Sequence, residues 1–123
     1  MKFESYIQMH GKKENPYPFI KFANILIHTS PVESQCITVL EAMALKTPCV
    51  IRESIGPKEY IKTGFNGFII NDDFTKITPI IKQLIYDVKT SQRIVQEAYL
   101  TVLSQYNAPC IIDKFNNICL NKI

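Results

Sequence analysis

Apolar residues come in short bursts over the first 70 positions and in a three- and four-residue rhythm after them. Four bursts read as strands, over residues 5–9, 25–28, 48–52 and 67–70. The runs ILIH and CVIR are continuous or nearly so, as in strands buried on both faces of a parallel sheet. The strand starts lie 20, 23 and 19 residues apart. Each interval has room for a crossover, whereas hairpins need far less chain. The pattern predicts a βαβ series, an α/β fold with a partial Rossmann-like parallel sheet.

The intervals differ in quality. Residues 16–23 have space for about two helical turns. Residues 35–45 are rich in Leu, Ala and Met and predict a helix ending ahead of Pro48. Residues 57–62 predict one or two turns, with Pro57 at a first helical position. Thr63-Gly64-Phe65-Asn66-Gly67 has turn composition. Over residues 74–87, Ile77, Ile80, Ile81, Leu84 and Ile85 share one helical face, and Asn71, Asp72 and Asp73 stand ahead of it as capping candidates. Residues 91–105 continue with Ile94, Val95, Ala98, Val102 and Leu103, and Pro109 opens a last segment through Ile112, Phe115 and Ile118. A small parallel sheet followed by consecutive helices is one half of a doubly wound domain.

Composition narrows the classes. A chain of 123 residues fits a single domain, and 46% hydrophobic with 20% charged residues excludes a disordered one. The net charge of +3 is spread along the chain, with no basic run longer than Lys12 and Lys13, so no nucleic-acid stripe is present. The cysteines Cys36, Cys49, Cys110 and Cys119 form no Cys-x-x-Cys pair and match no common zinc spacing. They read as reduced thiols, three of them in apolar runs, which suits the cytoplasm. The first residues have no apolar stretch of signal-peptide length, and no segment approaches about 18 unbroken apolar residues. The expected location is cytoplasmic, or peripheral at the inner face of a membrane.

The chemistry concentrates in residues 29–44, which leave the strand at 25–28 and enter the next helix. Ligands of open parallel sheets bind just past the carboxyl ends of strands. A helix starting there directs free N–H groups and a positive dipole end at an anion. The geometry predicts a phosphate site near Gln35, Ile37 and Thr38. Glu41 then stands on an otherwise apolar helix, roughly 7–8 Å along the axis from a start near Cys36 at 1.5 Å per residue. That is the reach from a diphosphate to the ribose of the same nucleotide, where a carboxylate accepts two hydroxyl hydrogen bonds. Glu33 precedes the helix, on the side where a sugar would lie. A carboxylate on a helix is, taken alone, more often a solvated residue. His10 and His28 are 18 apart with no acid or cysteine pair at metal spacing, so neither reads as a metal ligand. His28 ends a strand beside the site and is a candidate ligand contact. Glu59 reads as a cap-region carboxylate, and the tyrosines and Phe115 as packing.

Glu33 and Glu41, separated by seven residues, with Ala42-Met43-Ala44 after the second, resemble the nucleotide-sugar motif of the group 1 (family 4-like) retaining glycosyltransferases of GT-B fold. Further segments resemble that family in the same order: Asn15-Pro16-Tyr17-Pro18-Phe19-Ile20-Lys21, Ala23-Asn24 with its apolar strand to Ser30, Thr47-Pro48-Cys49-Val50, Gly56-Pro57-Lys58-Glu59, and Asn66-Gly67-Phe68-Ile69-Ile70. The resemblance spans residues 11–75 as the core motif region, with a helical region over 74–121. It implies a single, incomplete nucleotide-sugar-binding domain over 1–123, the C-terminal donor side of a GT-B enzyme of polysaccharide biosynthesis.

By that resemblance Glu41 binds the ribose of a nucleoside-diphosphate sugar, and Glu33 contacts hydroxyls of the transferred sugar. Backbone N–H groups around Ile37 and Thr38 hold the diphosphate, with Ser34 lining the donor. No metal and no other cofactor is implied, since helix dipole and basic side chains balance the charge. The implied reaction is transfer to an acceptor glycan or lipid-linked glycan with retention. The chain departs from the family at Ser34, Lys46 and Ile55, where glycines are usual. It also lacks the acceptor-side domain and the opening strands that carry an Arg and a Lys for the diphosphate. Lys2, Lys12 and Lys13 do not stand in their context. The expectation is that the isolated chain is inactive, with a separate chain as one source of the missing N-terminal domain. The alternative is a non-catalytic nucleotide-binding remnant or interaction module.

Overall fold

A computed structural model describes residues 4–120, without the side chains at 114, 115 and 117–120. Cys119, Phe115 and Ile118 therefore lie outside the described side chains, and Lys2 outside the described residues. Three parallel strands, β1 (Leu26–His28), β2 (Cys49–Arg52) and β3 (Phe68–Ile70), form one sheet in the order β1-β2-β3. Ile27 pairs with Val50, and Ile51 with Ile69. The helices are α1 (Tyr17–Lys21), α2 (Ile37–Ala44), α3 (Ile77–Tyr86), α4 (Val88–Gln105) and α5 (Ala108–Leu120).

Strand alternation sorts the core into two layers. Cys49 and Ile51 join Ile20, Val39, Ala42, Met43, Tyr60 and Ile61 on one face of the sheet. Val50 joins Phe68, Ile70, Leu84 and Ile94 on the other. Helix α4 serves both, giving Ala98 to the first layer and Ile94 to the second. Since β2 is covered on both faces, its run CVIR is apolar nearly throughout. Buried Thr47 donates from Oγ1 to the Ile20 carbonyl at 2.8 Å, tying α1 to the start of β2. Asn66, also buried, satisfies its whole amide. It accepts from the Lys62 N–H at 2.7 Å, and donates to the Tyr60 carbonyl at 2.8 Å and Thr101 Oγ1 at 3.0 Å.

The expected strand at 5–9 is not one. Glu4–Tyr6 form a single 3-10 turn, and Tyr6, Ile7 and Met9 are largely exposed. An apolar burst of five residues does not hold a strand that has no neighbour to pair with. The crossover at 57–62 shortens to a 3-10 turn at Pro57–Glu59. The helix expected from residue 74 starts as 3-10 at Phe74–Lys76, with Asp73 accepting from the Thr75 N–H at 3.2 Å. Helix α2 begins two residues later than expected, and α4 three residues earlier, where Asp87 accepts from the Thr90 N–H at 3.1 Å. Among the described residues no helix is long and apolar enough to cross a membrane.

Candidate functional site

Two loops leave the carboxyl ends of adjacent strands and meet. The first runs from β1 to α2, and the second from β2 to the turn at Pro57–Glu59. Their contact depends on Gly56. A Cβ built there would lie 1.4 Å from the Ser34 carbonyl oxygen. The Gly56 N–H donates to the Glu33 carbonyl at 3.3 Å. Tyr60 fixes the loop from below: its buried Oη donates to the Gln35 carbonyl at 2.8 Å, with the Cys36 carbonyl at 3.4 Å. Burial pushes the Tyr60 phenol far above its ordinary value, so it remains a donor.

The loop hands over to α2 through Cys36, which adopts φ +55° in the left-handed region. No side chain caps this helix start. The Val39 N–H bonds back to the Cys36 carbonyl at 3.0 Å, but the amides of Ile37 and Thr38 have no acceptor among the described residues. An uncapped helix with two free amides, preceded by a loop locked in place, is a ready anion cradle. The family glycine replaced by Lys46 proves to be a position that wants glycine. Lys46 has φ +61° just past α2, with its N–H on the Met43 carbonyl at 3.1 Å and the Thr47 N–H on the Ala42 carbonyl at 2.9 Å. That is a Schellman closure with lysine in the left-handed place. Its ammonium lies 4.6 Å above the Tyr99 ring, a contact glycine would lack.

The expected site residues all lie in this loop and helix, but the structure does not bring them into one cavity. Gln35, Ile37 and Glu41 line a cleft of about 310 Å³ with Leu40, Ala44, Val102, Tyr106 and Ile111. The Glu41 carboxylate is held there by Tyr17, whose Oη donates to Oε1 at 3.0 Å. The hydrogen bond to this carboxylate, and then its charge, raise the Tyr17 phenol. Glu33 points elsewhere: its Oε1 lies 3.4 Å from His28 Nε2. Ser34 and Thr38 are exposed. Glu59 is exposed in its short turn, while the neighbouring Lys58 pairs with Glu53.

Three side chains at the candidate site escaped the sequence reading. Tyr17 and Tyr60 read as packing residues, yet each places a site group through its hydroxyl; nothing in the local sequence distinguishes them. Cys36 is the third. His28, Glu33 and Cys36 bring their ligand atoms within 4.8 Å of one another. Their spacing of five and three residues matches no metal motif. Cys36, Cys49 and Cys110 are free thiols. Burial raises the Cys36 thiol, and the Glu33 charge adds to the effect. Deep burial pushes Cys49 up to about 12.

Comparison with known proteins agrees with this architecture. The chain is 23% identical over 117 residues to the lipopolysaccharide core biosynthesis glycosyltransferase LpsE of Rhizobium meliloti, covering 94% of this chain and 34% of that protein. The structure of HepE from Anabaena in complex with UDP-glucose superposes with a TM-score of 0.73 at 23% identity, over 89% of this chain and 31% of that one. A C-terminal domain of the glycosyl transferase group 1 protein LpcC from Francisella tularensis gives a TM-score of 0.72 at 23% identity, over 83% of this chain and 53% of that domain. The chain thus spans about a third of its full-length relatives, and its fold is part of the GT-B architecture. The family model for glycosyl transferases group 1 matches residues 3–101, and the chain belongs to that family.

Proposed function

We propose that this chain is the donor-binding part of a retaining glycosyltransferase, moving a sugar from a nucleoside-diphosphate sugar to an acceptor glycan or lipid-linked glycan. The observation that carries the reading is the start of α2. Its amides at Ile37 and Thr38 are free, its N-cap has no side-chain bond, and the loop ahead is held by Gly56 and Tyr60. A diphosphate accepts from those amides and is favoured by the helix dipole, with no metal needed for that contact. One to two turns on, Glu41 takes the ribose hydroxyls. Tyr17 uses Oε1 alone, and an ionised carboxylate offers about four acceptor sites, so the ribose can bind beside it. Glu33, oriented by His28, meets the transferred sugar, with Ser34 beside it. The acceptor-binding half of the cleft comes from polypeptide outside these 123 residues.

Calorimetry with UDP and UDP-glucose tests the roles. Hydrogen bonds to a charged group contribute about 1.5–3 kcal/mol, so Glu41→Ala weakens both ligands roughly ten- to a hundredfold. Glu33→Ala weakens UDP-glucose but leaves UDP unchanged, because its partner is the sugar. Undiminished UDP binding by Glu41→Ala would remove the ribose assignment.

A further inference from the structure

The geometry points to a metal site within the donor loop, sharing Glu33 with the proposed sugar contact: His28, Glu33 and Cys36 form a three-ligand site for a thiophilic divalent cation of the zinc class. The three come from separate pieces of backbone, the end of β1, the loop, and the N-cap of α2. Their ligand atoms lie within 4.8 Å of one another, and the His28–Glu33 pair is already at 3.4 Å. Zinc bonds of about 2.0–2.3 Å in tetrahedral geometry place neighbouring ligands roughly 3.5 Å apart. One edge therefore has its bound length, and the others, being within 4.8 Å, need to close by about 1 Å at most, within reach of a side-chain adjustment.

The donor set selects the metal. One imidazole, one thiol and one carboxylate suit zinc or cobalt, and exclude magnesium and calcium, which take oxygen ligands. The anchoring is independent of any metal. The Glu33 carbonyl accepts from the Gly56 N–H, and Tyr60 Oη holds the carbonyls of Gln35 and Cys36. The His28 and Glu33 side chains are 21% and 30% exposed, and Cys36 is buried. On binding, sulfur forms a bond to the metal and the thiol proton leaves to solvent, with no change of oxidation state. Three protein ligands leave one coordination position open toward solvent. The inference rests on these three side chains and not on the donor reading.

Cobalt(II) alone is the probe, since a thiolate-to-cobalt absorption band reports sulfur ligation. The 123-residue protein is expected to develop that band and saturate at one equivalent. Cys36→Gly abolishes it, and its fold is protected because glycine suits φ +55°. Far-UV circular dichroism checks that. His28→Asn and Glu33→Gln each weaken cobalt binding at least about tenfold while keeping the band at saturation. Zinc added to the cobalt form displaces the band. Absence of a band in the parent protein overturns the site. So does a band that survives in folded Cys36→Gly, which would place the metal on another cysteine.

Discussion

Gly56 needs no unusual backbone: its φ is −63°, which any residue adopts. It is required because another backbone occupies the space a side chain would take, with the Ser34 carbonyl oxygen 1.4 Å from where a Cβ would sit. Neither partner is the flexible end of a side chain, so Gly56→Ala must separate the two loops. Overpacking of this kind costs about 3 kcal/mol, the upper end of its usual range. For a chain of this size that lowers Tm by roughly 10 °C in thermal denaturation. A Tm within about 2 °C of the parent would mean that the loops do not touch in solution. The neighbouring Ile55, where the family often has glycine, is 84% exposed. Of the departures read from sequence, Lys46 thus falls on a left-handed backbone that favours glycine and Ile55 does not. A motif registers which residue type is usual, while the close approach at Gly56 is visible only once both loops are placed.

At the scale of elements, β1, β2 and β3 were legible because each is a short apolar run whose neighbours in the sheet are supplied by the chain itself. The run at 5–9 is a similar short apolar burst and fails for want of a partner, a fact outside any local window. Helix ends were read least well. The signals that set them are the carboxylates of Asp73 and Asp87, each accepting from the amide of a threonine in the turn that follows. Asp73 was among the capping candidates; Asp87 read as the end of a helix instead of the start of the next. These bonds hold both carboxyls below the ordinary value of 3.8. Their contribution to stability is therefore complete above that value and disappears as pH falls through the lower folded-state values. Asp87→Ala is expected to lower Tm at neutral pH, and the gap to the parent to narrow steadily below 3.8. Thermal melts at a series of acid pH values measure it. A gap that stays constant into strong acid would show that the carboxylate is not what caps α4. The same limit applies to the site. Glu33 and Glu41 were legible as a spaced pair, but the partners that orient them, His28 and Tyr17, are set by tertiary contact.

For the whole molecule, the decisive feature is that the described residues build one wall of the proposed donor cleft. The loops after β1 and β2 carry the groups proposed to face the donor, and Val32 and Ile55 within them are 83% and 84% exposed. Nothing in the described residues stands opposite them. Glycosyl transfer needs an acceptor hydroxyl held against the donor carbon, a positioning worth roughly 7–11 kcal/mol in well-oriented reactions. It also needs water kept away from a donor that would otherwise be hydrolysed. A single wall supplies neither, although it carries the amides and carboxylates proposed for binding. Binding and turnover should therefore separate in the 123-residue chain: UDP-glucose binds, and no glucose is transferred or released as free sugar. Incubation with radiolabelled UDP-glucose, followed by separation of nucleotide sugar from free and transferred glucose, tests both losses together. Label appearing in either product above the enzyme-free rate, and falling with Glu41→Ala, would show that the donor side alone completes a catalytic centre. If label remains in the donor, then restoring activity requires the residues that close the cleft, and the Glu33 and Glu41 variants can be read as kinetic effects only in such an assembly.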